Sequence, residues 1–278
     1  MKKKIIIALI LFLTIILIPL TNLKRSEENR NTMSYGVFTG LPSKDINKLL
    51  SYKEVVIDAS FYSKSQIDFL HKHGIKVYSY LNIGSLETFR SYYSNFKNLT
   101  LDNYEHWSDE KWLDVSNPLW IDYAVNTLGS ELKHKDIDGF FLDNLDVYSK
   151  YRNDNTFNGL ISIIKGLKAK YSLPVIANGG FDFFKAVENK GIPIKSLVCG
   201  ITVESVYTSI DFNNNNKFTI NPISNRDTYI NYLKSLKAKG IDIYIVEYSK
   251  DNSLNKAIES YYSNLGFKVY ISSSINLN

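Results

Sequence analysis

Cysteine is almost missing from this chain of 278 residues. Cys199 stands alone, so no intramolecular disulfide can form. It lies in the apolar run entering a predicted strand, where a small core residue is expected. No histidine falls at a strand end to activate it as a nucleophile. Histidine itself is scarce, with His71, His73, His106 and His134 the whole set. His71 and His73 are two apart near a helix end and cannot face one ligand site. They read as surface histidines, and no metal is expected. No Gly-x-Gly-x-x-Gly turn follows the first strand, which weakens a dinucleotide-binding reading and leaves no cofactor motif. No serine sits in a Gly-x-Ser-x-Gly turn, so a Ser–His–Asp hydrolase fails too. Excess positive charge is also lacking where it would matter. The formal net charge is +5, but residues 1–30 hold six basic and two acidic side chains, so the other 248 residues carry only +1. A near-neutral body gives no electrostatic case for nucleic acid.

What is present begins with a targeting segment. Lys2–Lys4 form a positive start, and Ile5–Leu20 is an apolar run broken only by Thr14 and Pro19. Its length lies between a signal-peptide core and a membrane span of ~20 residues. No small-x-small cleavage site is evident, and no cysteine follows for a lipid anchor. Residues 1–30 are therefore expected to be a signal peptide or membrane anchor plus a polar linker. The protein is expected outside the cell, secreted or held on the outer face of the membrane, and monomeric.

Residues 31–278 alternate strand and helix signals. Apolar runs end at Phe38, Asp58, Asn82, Asp143, Asn178, Glu204, Glu247 and Ser272. Ser63 and Gln66 match a capping box, and Gly74 suits the helix stop. Asn117 or Ser116 caps a helix with Pro118 in its first turn. Ser224 and Asp227 are expected to open a helix that Gly240 closes. Asn213–Asn216 reads as a loop. Alternation implies a parallel sheet, and eight such strands in one α/β domain predict a closed (β/α)8 TIM barrel.

Strands buried on both faces should end apolar; a carboxylate there is costly unless the end opens into a polar cleft. Strand alternation is expected to turn Asp58, Asn82, Asp143, Asn178, Glu204 and Glu247 into the barrel mouth, with Asp146 just beyond. Asp and Asn also cap turns and helices, but barrel chemistry sits at this face. Paired carboxylates without a metal cluster point to glycoside hydrolysis, one acid protonated and one ionised. Asp143 and Glu204 are the candidate catalytic pair. Asp58, Tyr80, Asn82, Asn144, Asp146, Asn178, Glu247 and Tyr248 are the candidate substrate contacts. The chain also has 20 Tyr, 15 Phe and 3 Trp. The long third connection carries Tyr92, Tyr93, Phe96, Tyr104, Trp107 and Trp112. About two of these are expected to meet sugar and the rest to fill core.

At these residues the sequence resembles glycoside hydrolase family 114, the endo-α-1,4-polygalactosaminidases and related hydrolase domains of bacterial exopolysaccharide systems. The resemblance runs from about Tyr35 to Ser274. It is carried by Tyr35–Phe38, Tyr80–Ser85, Trp112–Val115, Asp138–Asp146, Ala177–Gly180 and Val203–Val206. It implies endo-cleavage of an α-1,4-linked, partly deacetylated galactosamine polymer with retention of configuration. It also implies that the carboxylate pair falls on Asp143, expected as nucleophile, and Glu204, expected as acid/base. A glycosidase for another exopolysaccharide or wall glycan, and a carbohydrate-binding barrel that no longer cuts, are the alternatives. An acidic mouth would attract a cationic amino sugar polymer.

Overall fold

The computed structural model describes residues 33–278, so the predicted leader at 1–30 lies outside the described residues. Eight parallel strands form the central sheet: β1 (Gly36–Phe38), β2 (Glu54–Ile57), β3 (Lys76–Asn82), β4 (Gly139–Asp143), β5 (Val175–Asn178), β6 (Gly200–Glu204), β7 (Asp242–Tyr248) and β8 (Lys268–Ser272). Each pairs with its neighbour in chain order. β1 and β8 come together at the seam without a ladder between them, which leaves the (β/α)8 barrel nearly closed.

Side chains fill the barrel floor. Tyr35 and Tyr244 lie with ring centroids 4.7 Å apart, and Glu54 accepts from Lys268 at 2.8 Å. Two glycines make room for this layer. A Cβ on Gly139 would come within 2.4 Å of the Tyr78 ring, and one on Gly200 within 2.6 Å of Tyr244. The bulky layer therefore requires no side chain at the starts of β4 and β6.

Local signals set most helix ends. Ser63 and Gln66 form both bonds of the capping box on Lys64–Lys72, and Gly74 takes the left-handed stop at φ 73°. Asn117 caps Pro118–Asp122, and Asp251 caps Asn252–Asn264. Helix Ile223–Ala238 differs from expectation. It starts after Pro222 with no side-chain cap bond, so Ser224 lies inside it rather than at its cap.

Two excursions from the strand ends shape the site. Between β3 and β4 the chain builds a small antiparallel sheet, Ser85–Glu87, Glu110–Leu113 and Thr100–Asn103. Trp120 pins it from below, fully buried and donating its indole N–H to the Ile83 carbonyl at 3.0 Å. After β6 comes an antiparallel hairpin, Thr208–Asp211 with Lys217–Ile220, whose turn holds the asparagine tract.

Candidate active site

Asp143 and Glu204 end β4 and β6, and in both cases the next residue turns left-handed, Asn144 at φ 63° and Ser205 at φ 57°. Such a turn is costly for a residue with a Cβ. It stops each strand at its carboxylate and leads the chain away from the mouth. Gly84 makes the first turn possible, since a Cβ there would lie 1.8 Å from the Asn144 carbonyl oxygen.

Asn178, at the end of β5 between them, joins the two acids. Its amide nitrogen donates to Asp143 Oδ1 at 2.9 Å and to Glu204 Oε1 at 2.8 Å. One NH2 group serving two acceptors at its natural opening angle holds those oxygens about 5 Å apart. Tyr248 donates its hydroxyl to the other Glu204 oxygen, Oε2, at 2.5 Å. Burial, then the nearby charges of Glu110 and Glu204, push Asp143 up to about 8, against the Asn178 hydrogen bond. Asp143 thus holds its proton into the neutral range in the free cleft. Burial also raises Asp146 to about 6, although its Oδ1 accepts the Gly180 N–H at 3.1 Å.

The cleft above these residues encloses about 760 Å³. Tyr80, Asn144 and Asp146 line it with the pair, Asn178 and Tyr248. Seven carboxylates face it, from Asp58, Glu87, Asp109, Glu110, Asp143, Asp146 and Glu204, and among the described residues no lysine, arginine or histidine lines it. Behind the wall, Arg90 bonds Asp58 Oδ2 at 2.8 Å and pairs with Glu87. One internal guanidinium thus serves both acids.

Phe61 and Phe89 stand on one side of the mouth and Phe181 and Tyr229 on the other. Overhead, His106 from the β3–β4 excursion stacks on Phe212 of the hairpin, with centroids 4.2 Å apart and planes 1° apart. The strands that launch these excursions lie well apart around the barrel, so the stack bridges the mouth.

The sequence profile of glycoside-hydrolase family GH114 matches residues 40–275. The chain belongs to this family. No curated protein matches it. Solved structures do. It is similar to the glycoside hydrolase domain of PelA from Pseudomonas aeruginosa, at 17% identity and TM-score 0.73, covering 90% of this chain and 97% of that one. It is also similar to Ega3 from Aspergillus fumigatus, solved in complex with galactosamine, at 18% identity and TM-score 0.65, covering 90% and 93%. A maltogenic α-amylase, AmyB from Thermotoga neapolitana, shares the fold at 12% identity and TM-score 0.54, covering 87% of this chain and 67% of its own. The protein is a glycoside hydrolase with a TIM-barrel fold.

In this GH114 barrel the expected mouth residues divide. Asp143, Asn178 and Glu204 converge, and Tyr80, Asn144, Asp146 and Tyr248 line the cleft beside them. Asp58 reaches the cleft wall but is held by Arg90 and by Ser60, whose N–H and hydroxyl both bond its Oδ1. Asn82 is buried and bonds Ser85 and Glu110, which makes it a support rather than a surface of the cleft.

Glu247 is a correction. On β7 the inward face carries Tyr244, Val246 and Tyr248, and Glu247 turns outward to the helices. Fully buried, it accepts from the backbone N–H groups of Val206, Tyr207 and Thr208 and from the hydroxyls of Thr208 and Tyr262. It ties down the base of the hairpin and cannot meet sugar. The last apolar-run residue was an unreliable guide here because β7 continues one residue further, to Tyr248.

Of the six aromatics in the third connection, Tyr104 and Trp107 line the cleft. Tyr92, Phe96 and Trp120 pack together, and Trp112 backs Tyr104 at 4.2 Å. Sequence reasoning missed Glu87, Arg90 and Glu110. They sit in the small sheet and its turn, where no barrel periodicity marks them. Asp68, His71 and Asp136 form a surface cluster outside the cleft, but Lys64 already bonds both of its aspartates, at 2.8 and 3.4 Å.

Proposed function

We propose that this GH114 hydrolase cuts an α-1,4-linked, partly deacetylated galactosamine polymer within the chain and with retention of configuration. The observation that carries this reading is the single amide of Asn178 bonded to both Asp143 and Glu204. A carboxyl separation near 5 Å suits a retaining double displacement and leaves no room for the water that an inverting enzyme places between its acids. Asp143 is the nucleophile and Glu204 the acid/base. Glu204 protonates the leaving glycosidic oxygen as Asp143 attacks the anomeric carbon. Glu204 then takes a proton from the water that releases the glycosyl–enzyme. In the resting cleft burial and neighbouring charge hold a proton on Asp143. A cationic substrate beside Asp143 lowers its proton affinity and frees the carboxylate to attack.

Two further features support the substrate and the mode of attack. Among the described residues the cleft is lined by acids and by no basic side chain, which favours a cationic polymer. Aromatic rings on both sides of the mouth offer stacking surfaces for sugars on either side of the broken bond. Export is proposed from the positive start and apolar run at residues 2–20.

The test is reducing-end release from deacetylated α-1,4-galactosamine polymer. Asp143→Asn and Glu204→Gln are each expected to lower kcat by about 10³-fold or more while still binding polymer. Undiminished release by either variant would contradict the pair. Binding without release by the wild type would favour a non-cutting barrel.

A further inference from the structure

Glu110 has a place in the cleft that the two-carboxylate reaction does not use. It stands on the small sheet between β3 and β4, so Asp143 lies between it and Glu204 around the mouth. Its Oε2 accepts from Ser85 Oγ at 2.5 Å, Asn144 Nδ2 at 3.1 Å and Asn82 Nδ2 at 3.4 Å. Among the described residues no donor is bonded to Oε1, and that oxygen is not sealed away from the cleft. Three polar side chains thus fix the carboxyl group by one oxygen and leave the other open.

The remaining cleft acids are less suited to receive a cation near the reacting centre. Arg90 already pairs with Asp58 and Glu87. Asp109 is on the exposed rim. Asp146 bonds Gly180 N–H and packs its other oxygen against Gly179, where a Cβ would come within 2.0 Å. Among the described residues Glu110 has no cationic partner; it is held by three side chains and adjoins Asp143 through Asn144.

In galactosamine the amino group is on C2, one bond from the anomeric carbon. A sugar placed for attack by Asp143 therefore presents its C2 substituent close to the nucleophile. We propose that Glu110 is a specificity-determining residue. Its open oxygen pairs with the C2 ammonium of the sugar in the reacting position and so selects deacetylated over N-acetylated residues. An acetamide removes the charge and brings an acceptor carbonyl toward a carboxylate, which leaves Glu110 without its ion pair. This inference rests on the galactosamine reading above and adds the residue that discriminates.

The experiment compares kcat/KM on fully deacetylated and fully N-acetylated α-1,4-galactosamine oligomers for the wild type, Glu110→Gln and Glu110→Asp. The Gln variant keeps an oxygen for Ser85, Asn82 and Asn144 but loses the charge. It is expected to lose about tenfold or more on the deacetylated oligomer, mainly through KM, and to hold or gain on the acetylated one. The Asp variant keeps the charge and should retain more of the preference than the Gln variant. Thermal unfolding of each variant separates misfolding from altered recognition. Equal loss on both oligomers in a stably folded Gln variant overturns the role of Glu110 while leaving the galactosamine reading intact. A wild type that cleaves neither oligomer overturns that reading and the Glu110 role with it.

Discussion

Asn178 shows how much a single side chain organises in this site. One amide sets the spacing of two acids from different strands, and Tyr248 fixes the far oxygen of Glu204. The cost of the arrangement falls on Asp143, whose desolvated, half-buried carboxyl group is raised from 3.8 to about 8. Because the folded state holds this proton more tightly than the unfolded chain does, the associated stability is complete below about pH 4. It is lost as pH rises through about 8. Asp143→Asn removes a group that must ionise in a poorly solvated place. Its melting temperature is expected to exceed that of the wild type by about 3 °C or more at pH 9, with no gain at pH 4. A gain that is the same at both pH values would show that Asp143 is not held protonated by burial.

At the scale of elements, strand ends were legible and strand faces were not always so. The runs ending at Asp143, Asn178 and Glu204 alternate as expected, and their polar ends meet. β7 reads the same way in sequence, but its inward set is Tyr244, Val246 and Tyr248, because aromatic residues fill the barrel floor and the site wall there. An acid at a strand end can equally anchor an adjacent loop, and Glu247 does so by receiving five donors from the hairpin base and Tyr262. Glu247→Ala strands those buried donors. It is expected to cost about 3 kcal/mol or more in urea unfolding. A loss below about 1 kcal/mol would mean that the hairpin is held by other contacts. The small sheet that delivers Glu87, Arg90 and Glu110 was invisible from sequence. Its strands are three or four residues long, too short for a period to show.

For the whole molecule, the barrel was readable because eight apolar runs separated by capped helices leave few alternatives to a closed parallel sheet. The cleft was only partly readable, because its walls come from two excursions that meet overhead at His106 and Phe212. Tertiary contacts of this kind join residues about a hundred positions apart and leave no local mark. What unites the scales is one chemical claim, that Asp143 and Glu204 act together across a short gap. Proton NMR of the first product released from deacetylated α-1,4-galactosamine polymer tests it most directly. The account predicts the α-anomer first, followed by mutarotation to the β-anomer, and no product signal with Asp143→Asn. Initial appearance of the β-anomer, or product formation at an undiminished rate in that variant, would contradict it.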